Sequence, residues 1–161
     1  LRNLGKSTKY EARHVAPNSK LDTIQAAILR LKLPRLPEWN ARRRALAARY
    51  RSALKGVGDL ALPSDPGGEE HVYHQFVVRT SRRDALRARL KDEGVNAGVH
   101  YPIPPHLQPI DGPLRRPRGT FPVAEAAADS VLSLPIGHEL DDAAADFVCA
   151  AIRRFFDDGR A

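Results

Sequence analysis

The sequence holds no methionine, one cysteine and one tryptophan in 161 residues, and no apolar run approaches the roughly 20 residues of a membrane-spanning helix. Each absence removes a class of answer. With Cys149 alone there is no intramolecular disulfide and no cysteine metal cluster. Its neighbours in "DFVCAAI" make it a buried structural thiol, as in a protein of the reducing cytoplasm. The basic opening "LRNLGKSTKY" lacks the apolar segment of a secretory signal, so neither export nor a membrane anchor is expected. A chain that begins at Leu1 without methionine is expected to be a fragment or an excised domain, with some functional groups outside it.

Several chemistries are also missing. There is no Walker loop, no G-x-G-x-x-G, no H-E-x-x-H, no C-x-x-C and no G-x-S-x-G. The six histidines do not fall at metal-ligand spacings, and His71 and His74 would point to opposite faces of a strand, so no metal site is expected. The carboxylate pairs Asp92-Glu93 and Asp141-Asp142 lie on helical patterns, where capping or solvation accounts for them. Lys and Arg exceed Asp and Glu by 26 − 19 = 7, which raises a nucleic-acid reading. Yet the runs "ARRRALAARYR" and "RRDALRARL" sit on helical patterns whose charges fill the solvent face. No zinc set, GXXG clamp or RNP-like aromatic pattern accompanies them, so nucleic acid is not the expected partner.

What is present is an alternation of helical and extended patterns. Leu21, Ile24, Ala27, Ile28 and Leu31 recur at helical spacing after a capping-box-like Ser19 and Asp22. Pro34 and Pro37 interrupt the helix. A second one then carries Leu36, Trp39, Leu46, Tyr50 and Leu54 on one face and ends at Gly56. His71–Thr80 reads as a strand whose better core face is Val72, His74, Phe76 and Val78. A helix with Leu86 and Leu90 ends at Gly94, and "VNAGV" is a short strand. Another helix starts near Pro122, "LSLP" is a strand ending at Pro135, and the last helix buries Ala144, Phe147, Val148, Ala151, Ile152 and Phe155. The order predicts a small α+β domain: long helices, then a short, mostly antiparallel sheet covered by helices.

The stretch "NAGVHYPIPPHLQPI", Asn96 to Ile110, fits neither a helix nor a central strand, because its four prolines fix φ and remove backbone donors. The result is a stiff, extended loop. It holds His100, which donates or accepts from either ring nitrogen, and Tyr101, whose hydroxyl does both, a pair suited to an anionic or polyhydroxy ligand. Asn18 and Lys20, just before a helix N-terminus, form a candidate phosphate site, since backbone donors and the helix dipole favour an anion there.

These segments together resemble a known family. "LRNLGKSTKY", "NSKLDTIQAAILRLKLPRLPEWNARRRALAARY", "HVYHQFVVR" with "RRDALRARLKDEGV", and "HYPIPPHLQP" with "FPVAEAAADSVLSLPI" are similar, in order and spacing, to the C-terminal half of the DegT/DnrJ/EryC1/StrS family. The resemblance covers essentially the whole chain. It implies a pyridoxal-phosphate-dependent nucleotide-sugar aminotransferase of fold-type I, cytoplasmic and homodimeric, with an active site shared across the interface. Its substrates would be L-glutamate and a 3- or 4-keto sugar on a nucleoside diphosphate, in amino-sugar biosynthesis. Residues 1–20 would be a lead-in from the large domain, 21–56 linking helices, and 57–161 the small C-terminal domain. The Schiff-base lysine and the aspartate that pairs with the pyridinium nitrogen would lie upstream, leaving this chain without catalytic residues and inactive alone. Asn18 would reach the neighbouring subunit's cofactor phosphate. Lys20, where the family usually has arginine, would contact the substrate's diphosphate region with His100 and Tyr101, with His106 and Gln108 as weaker contacts. The "HLQP" element favours the 3-keto over the 4-keto subset. Ala16 replaces the glycine that normally precedes the asparagine by two residues. The alternative is a degenerate, non-catalytic homologue acting as a dimerisation or regulatory domain.

Overall fold

The computed structural model describes residues 7–8, 11, 13–17, 19, 21–64, 71–109 and 116–159, which divide into two compact units, 1–38 and 39–161. In the first unit, helix α1 (Thr23–Lys32) starts without the expected capping box. Asp22 is the N-cap, but its side chain caps nothing, and the helix is begun by its carbonyl, which accepts the Ala26 N–H at 2.8 Å. Leu21, Ile24, Ile28 and Leu31 all stay exposed. Pro34 falls in a short 3₁₀ turn (Leu33–Arg35), because a residue without an N–H cannot continue the α ladder. Helix α2 (Leu36–Leu54) then takes Pro37 in its first turn, where the donor has no intrahelical partner to lose.

The division after Glu38 falls within the span expected to be linking helices. The reason is that α2 buries Leu46, Ala47, Tyr50 and Leu54 in the second unit's core, so that part of the helix belongs to the domain. Around it lie strand β1 (Phe76–Arg79), helix α3 (Arg83–Asp92), helix α4 (Pro122–Ser130), strand β2 (Val131–Leu134) and helix α5 (Asp142–Asp158). The strands are antiparallel, with Phe76 opposite Leu134 and Val78 opposite Leu132, all four buried. Single bridges widen the layer, Ala61 to Arg79 beside β1 and Gly98 to Ser133 beside β2. The expected strand "VNAGV" is therefore one bridge long.

Three core expectations are corrected. The extended run over His71–Thr80 shrinks to four residues, because Tyr73 has φ 47° and turns the chain; Tyr73 is buried instead, while Val72 and His74 are exposed. In α5 the apolar stripe lies one residue round from the expected face. Ala145, Cys149 and Phe156 join Val148, Ala151, Ile152 and Phe155, while Phe147 is 48% exposed and Ala144 only half-buried. The arginine runs are not simply solvated. Arg42 donates to the Leu140 carbonyl at 2.7 Å and pairs with Asp142, and Arg43 donates to three carbonyls, those of Tyr73, His74 and Ile136. Arg82 lies over the ring of Phe155 at 4.3 Å. Much of the apparent nucleic-acid charge is spent on the chain's own loop carbonyls and carboxylates.

Candidate functional site

The proline-rich loop forms one wall of a pocket of about 510 Å³. Its stiffness follows from the sequence. Pro104 lies at φ −61°, ψ 150° and Gln108 at φ −60°, ψ 143°, both in the extended region, and they flank a 3₁₀ turn over Pro105–Leu107. The Gln108 side chain closes the loop on itself by donating to the Ile103 carbonyl at 3.3 Å. The facing wall is α4, whose alanines 124, 127 and 128 leave room because they carry only a methyl group. Between the walls the pocket is mostly apolar, with His100, Tyr101 and Gln108 as its polar members.

His100 and Tyr101 are brought together at this pocket. Both are exposed, Tyr101 to 73%, and their rings meet edge to face at 5.6 Å. His100 Nδ1 lies 2.9 Å from the Ser133 hydroxyl. The same imidazole also borders a second, more polar cavity of about 280 Å³, lined with His74, Gln75, Asn96 and Ser133. An imidazole at the junction of an apolar and a polar cavity suits a ligand with both characters.

His106 has a different place. It is buried, does not line the pocket, and sets its Nε2 3.0 Å from a Glu125 oxygen, with its ring edge-on to Phe121 at 4.9 Å. Glu125 is buried too, and accepts the backbone N–H groups of Gly119 and Phe121. The Gly119 N–H does most to hold this carboxyl below the usual carboxylate range; burial opposes the shift, while His106 and Phe121 assist it. His106 therefore ties the loop to α4. Ser133, Gly98 and Glu125 were not singled out from the sequence. The available signals were a hydroxyl inside an apolar strand and an acid inside an alanine-rich helix.

Asn18 and Lys20 lie outside the described residues. No lysine lines the His100 pocket, and Lys32, Lys55 and Lys91 are exposed elsewhere. Among the described residues there is no group of three or more His, Cys, Asp or Glu placed to hold a metal ion, and no helix long and apolar enough to cross a membrane.

Residues 1–153 match the model of the DegT/DnrJ/EryC1/StrS aminotransferase family. The chain is 46% identical over 153 residues to the erythromycin biosynthesis sensory transduction protein EryC1 of Saccharopolyspora erythraea, covering 95% of this chain and 42% of that protein. It is 44% identical over 155 residues to dTDP-3-amino-3,4,6-trideoxy-alpha-D-glucose transaminase of Streptomyces venezuelae, covering 96% of this chain and 41% of that enzyme. Among solved structures, that of S. venezuelae DesV in complex with a ketimine intermediate superposes with a TM-score of 0.90 at 44% identity, over 98% of this chain and 42% of that one. The chain thus spans about two fifths of the length of these relatives. Motif order, fold and family match agree: the chain belongs to the DegT/DnrJ/EryC1/StrS aminotransferase family.

Proposed function

We propose that this chain is the C-terminal portion of a pyridoxal-phosphate-dependent aminotransferase. The enzyme moves the amino group of L-glutamate to a nucleoside-diphosphate keto sugar, the 3-keto rather than the 4-keto form, in amino-sugar biosynthesis. The observation that carries the reading is the presentation of His100 and Tyr101 by a proline-stiffened loop at the mouth of the pocket, in a chain of this family. A side chain on rigid backbone loses little freedom when it grips a ligand, so an imidazole and a phenol held in this way bind a diphosphate at low entropic cost. Lys20 adds charge to that grip, and Asn18 reaches the cofactor phosphate of the neighbouring subunit in a cytoplasmic homodimer. His106 serves the substrate indirectly, by fixing the loop to α4 through Glu125. When bound, pyridoxal phosphate supplies the electron sink for amino transfer. Its lysine and its pyridinium-pairing aspartate belong to the part of the enzyme outside this chain, so this portion alone does not turn over. The 3-keto preference rests on the "HLQP" element and on a 3-amino-sugar transaminase among the relatives.

Calorimetric titration of the 161-residue chain with dTDP and UDP tests the reading. Saturable binding is expected, weakened about tenfold or more in His100→Ala and Tyr101→Ala, the value of a hydrogen bond to a charged group. Binding that ignores both substitutions overturns it. Self-association without any nucleotide binding instead points to the non-catalytic dimerisation reading.

A further inference from the structure

His100 is fixed from two sides, by Gly98 and by Ser133. Gly98 and Ser133 face each other across a single antiparallel bridge, with Gly98 N–H donating to the Ser133 carbonyl at 3.1 Å and Ser133 N–H to the Gly98 carbonyl at 2.7 Å. Two residues on, the chain brings the His100 ring back over Gly98. A Cβ at Gly98 would lie 2.6 Å from His100 Cε1, so only glycine leaves space for the ring. The bridge that aligns Gly98 also sets the Ser133 hydroxyl 2.9 Å from Nδ1.

The direction of that hydrogen bond follows from its surroundings. Ser133 is 7% exposed, and among the described residues its hydroxyl has no partner but His100. If Nδ1–H donated to Ser133, the hydroxyl hydrogen would find no acceptor among the described residues and would depend on water in the second cavity. If the hydroxyl donates to a bare Nδ1, both groups are satisfied. A neutral imidazole with a bare Nδ1 carries its proton on Nε2. Nε2 has no partner among the described residues, on a ring that borders both cavities.

We propose that Ser133 is a positioning residue that selects the tautomer of His100, so that Nε2–H is the donor offered to an anionic oxygen of the ligand. Only the identity of that ligand, a diphosphate, rests on the function proposed above; the tautomer is a property of the chain itself. The opposite tautomer would present a lone pair to the anion and repel it.

The test uses chain carrying 15N-labelled histidine, with long-range proton–nitrogen correlation at a pH of about 9, well above the ordinary imidazole range near 6.5. His100 is assigned by the loss of its signals in His100→Ala. Expected in the wild type is one tautomer, with Nδ1 pyridine-like and Nε2 pyrrole-like. Ser133→Ala should mix the tautomers and weaken binding of inorganic pyrophosphate and dTDP roughly fivefold, as loss of one neutral hydrogen bond would. Ser133→Thr restores both. Gly98→Ala, which keeps the hydroxyl but displaces the ring, gives the same loss. A wild-type ring protonated on Nδ1, or His100 signals unchanged in Ser133→Ala, overturns the proposal. Altered tautomers with unchanged anion affinity support tautomer selection by Ser133 and sink the diphosphate reading instead.

Discussion

The buried His106 ring sets Nε2 3.0 Å from the buried Glu125 carboxylate, the only link of its kind between the loop and α4 among the described residues. Glu125 stays ionised because the Gly119 N–H, with help from His106 and Phe121, outweighs the cost of burial. A carboxyl held below its ordinary value contributes stability above the unfolded-state pKa of about 4.3 and loses it as pH falls through the lower folded value. Glu125→Gln removes the charge and keeps the shape. Its Tm is expected below wild type at pH 7, with the gap closing as pH falls from about 5 toward 3. Thermal unfolding across that range checks this, and a gap that does not change with pH would refute the electrostatic account.

The core reaches the second cavity through Tyr50. Its ring is fully buried, 5.2 Å from Phe76, and its hydroxyl donates to the Pro135 carbonyl at 2.7 Å, just past the end of β2. Burial pushes the phenol well above its ordinary pKa, with the nearby Cys149 adding to the shift, so it remains a donor at any physiological pH. Tyr50→Phe is expected to cost about 1 kcal/mol, the net worth of one hydrogen bond, since the half-buried Pro135 carbonyl borders the second cavity. Urea unfolding with an unchanged slope would show a stability effect rather than a change in compactness.

Sequence pattern made some of this architecture legible and hid the rest for physical reasons. Leu86 and Leu90, Gly94 as a helix stop with φ 79°, and the "LSLP" strand were readable because each depends on local periodicity or on a single residue's conformational range. The turn at Tyr73 was not, since a left-handed tyrosine leaves no local mark and is held by Arg43, thirty residues earlier. The placement of His100 and Tyr101 on a stiff loop could be read because prolines announce one. The uses of Ser133 and Glu125 could not, because both depend on contacts 33 and 19 residues away.

Cys149 should behave as an inert thiol. It is 4% exposed within α5, and burial, assisted by the nearby Asp146 charge, pushes its pKa up to about 11. At pH 8 little thiolate is present and the sulfur is sheltered, so a disulfide reagent should react only as the chain opens. The labelling rate is expected to rise with denaturant in step with unfolding. Rapid stoichiometric labelling of the native chain would contradict this placement.

The arginine run "ARRR" provides the sharpest separation between a nucleic-acid surface and a structural device. Arg43 spreads one guanidinium nitrogen over the carbonyls of Tyr73, His74 and Ile136, at 3.4, 3.2 and 3.0 Å. These carbonyls belong to the turn before β1 and the segment after β2, beyond the Phe76–Leu134 pair at which the β1–β2 ladder ends. Removing the cation leaves them to water or unpaired. Arg43→Ala is expected to cost about 1.5 to 3 kcal/mol, as for a hydrogen bond to a charged group. Arg43→Lys should recover only part, because an ammonium on a flexible stem does not reproduce the planar fork. If the run served nucleic acid instead, both substitutions would leave stability unchanged, and Arg43→Ala, which alone removes the charge, would lower the salt-dependence of DNA binding by about one phosphate contact. Chemical denaturation and a salt titration on the same variants distinguish the two, with the stability loss as the expected result.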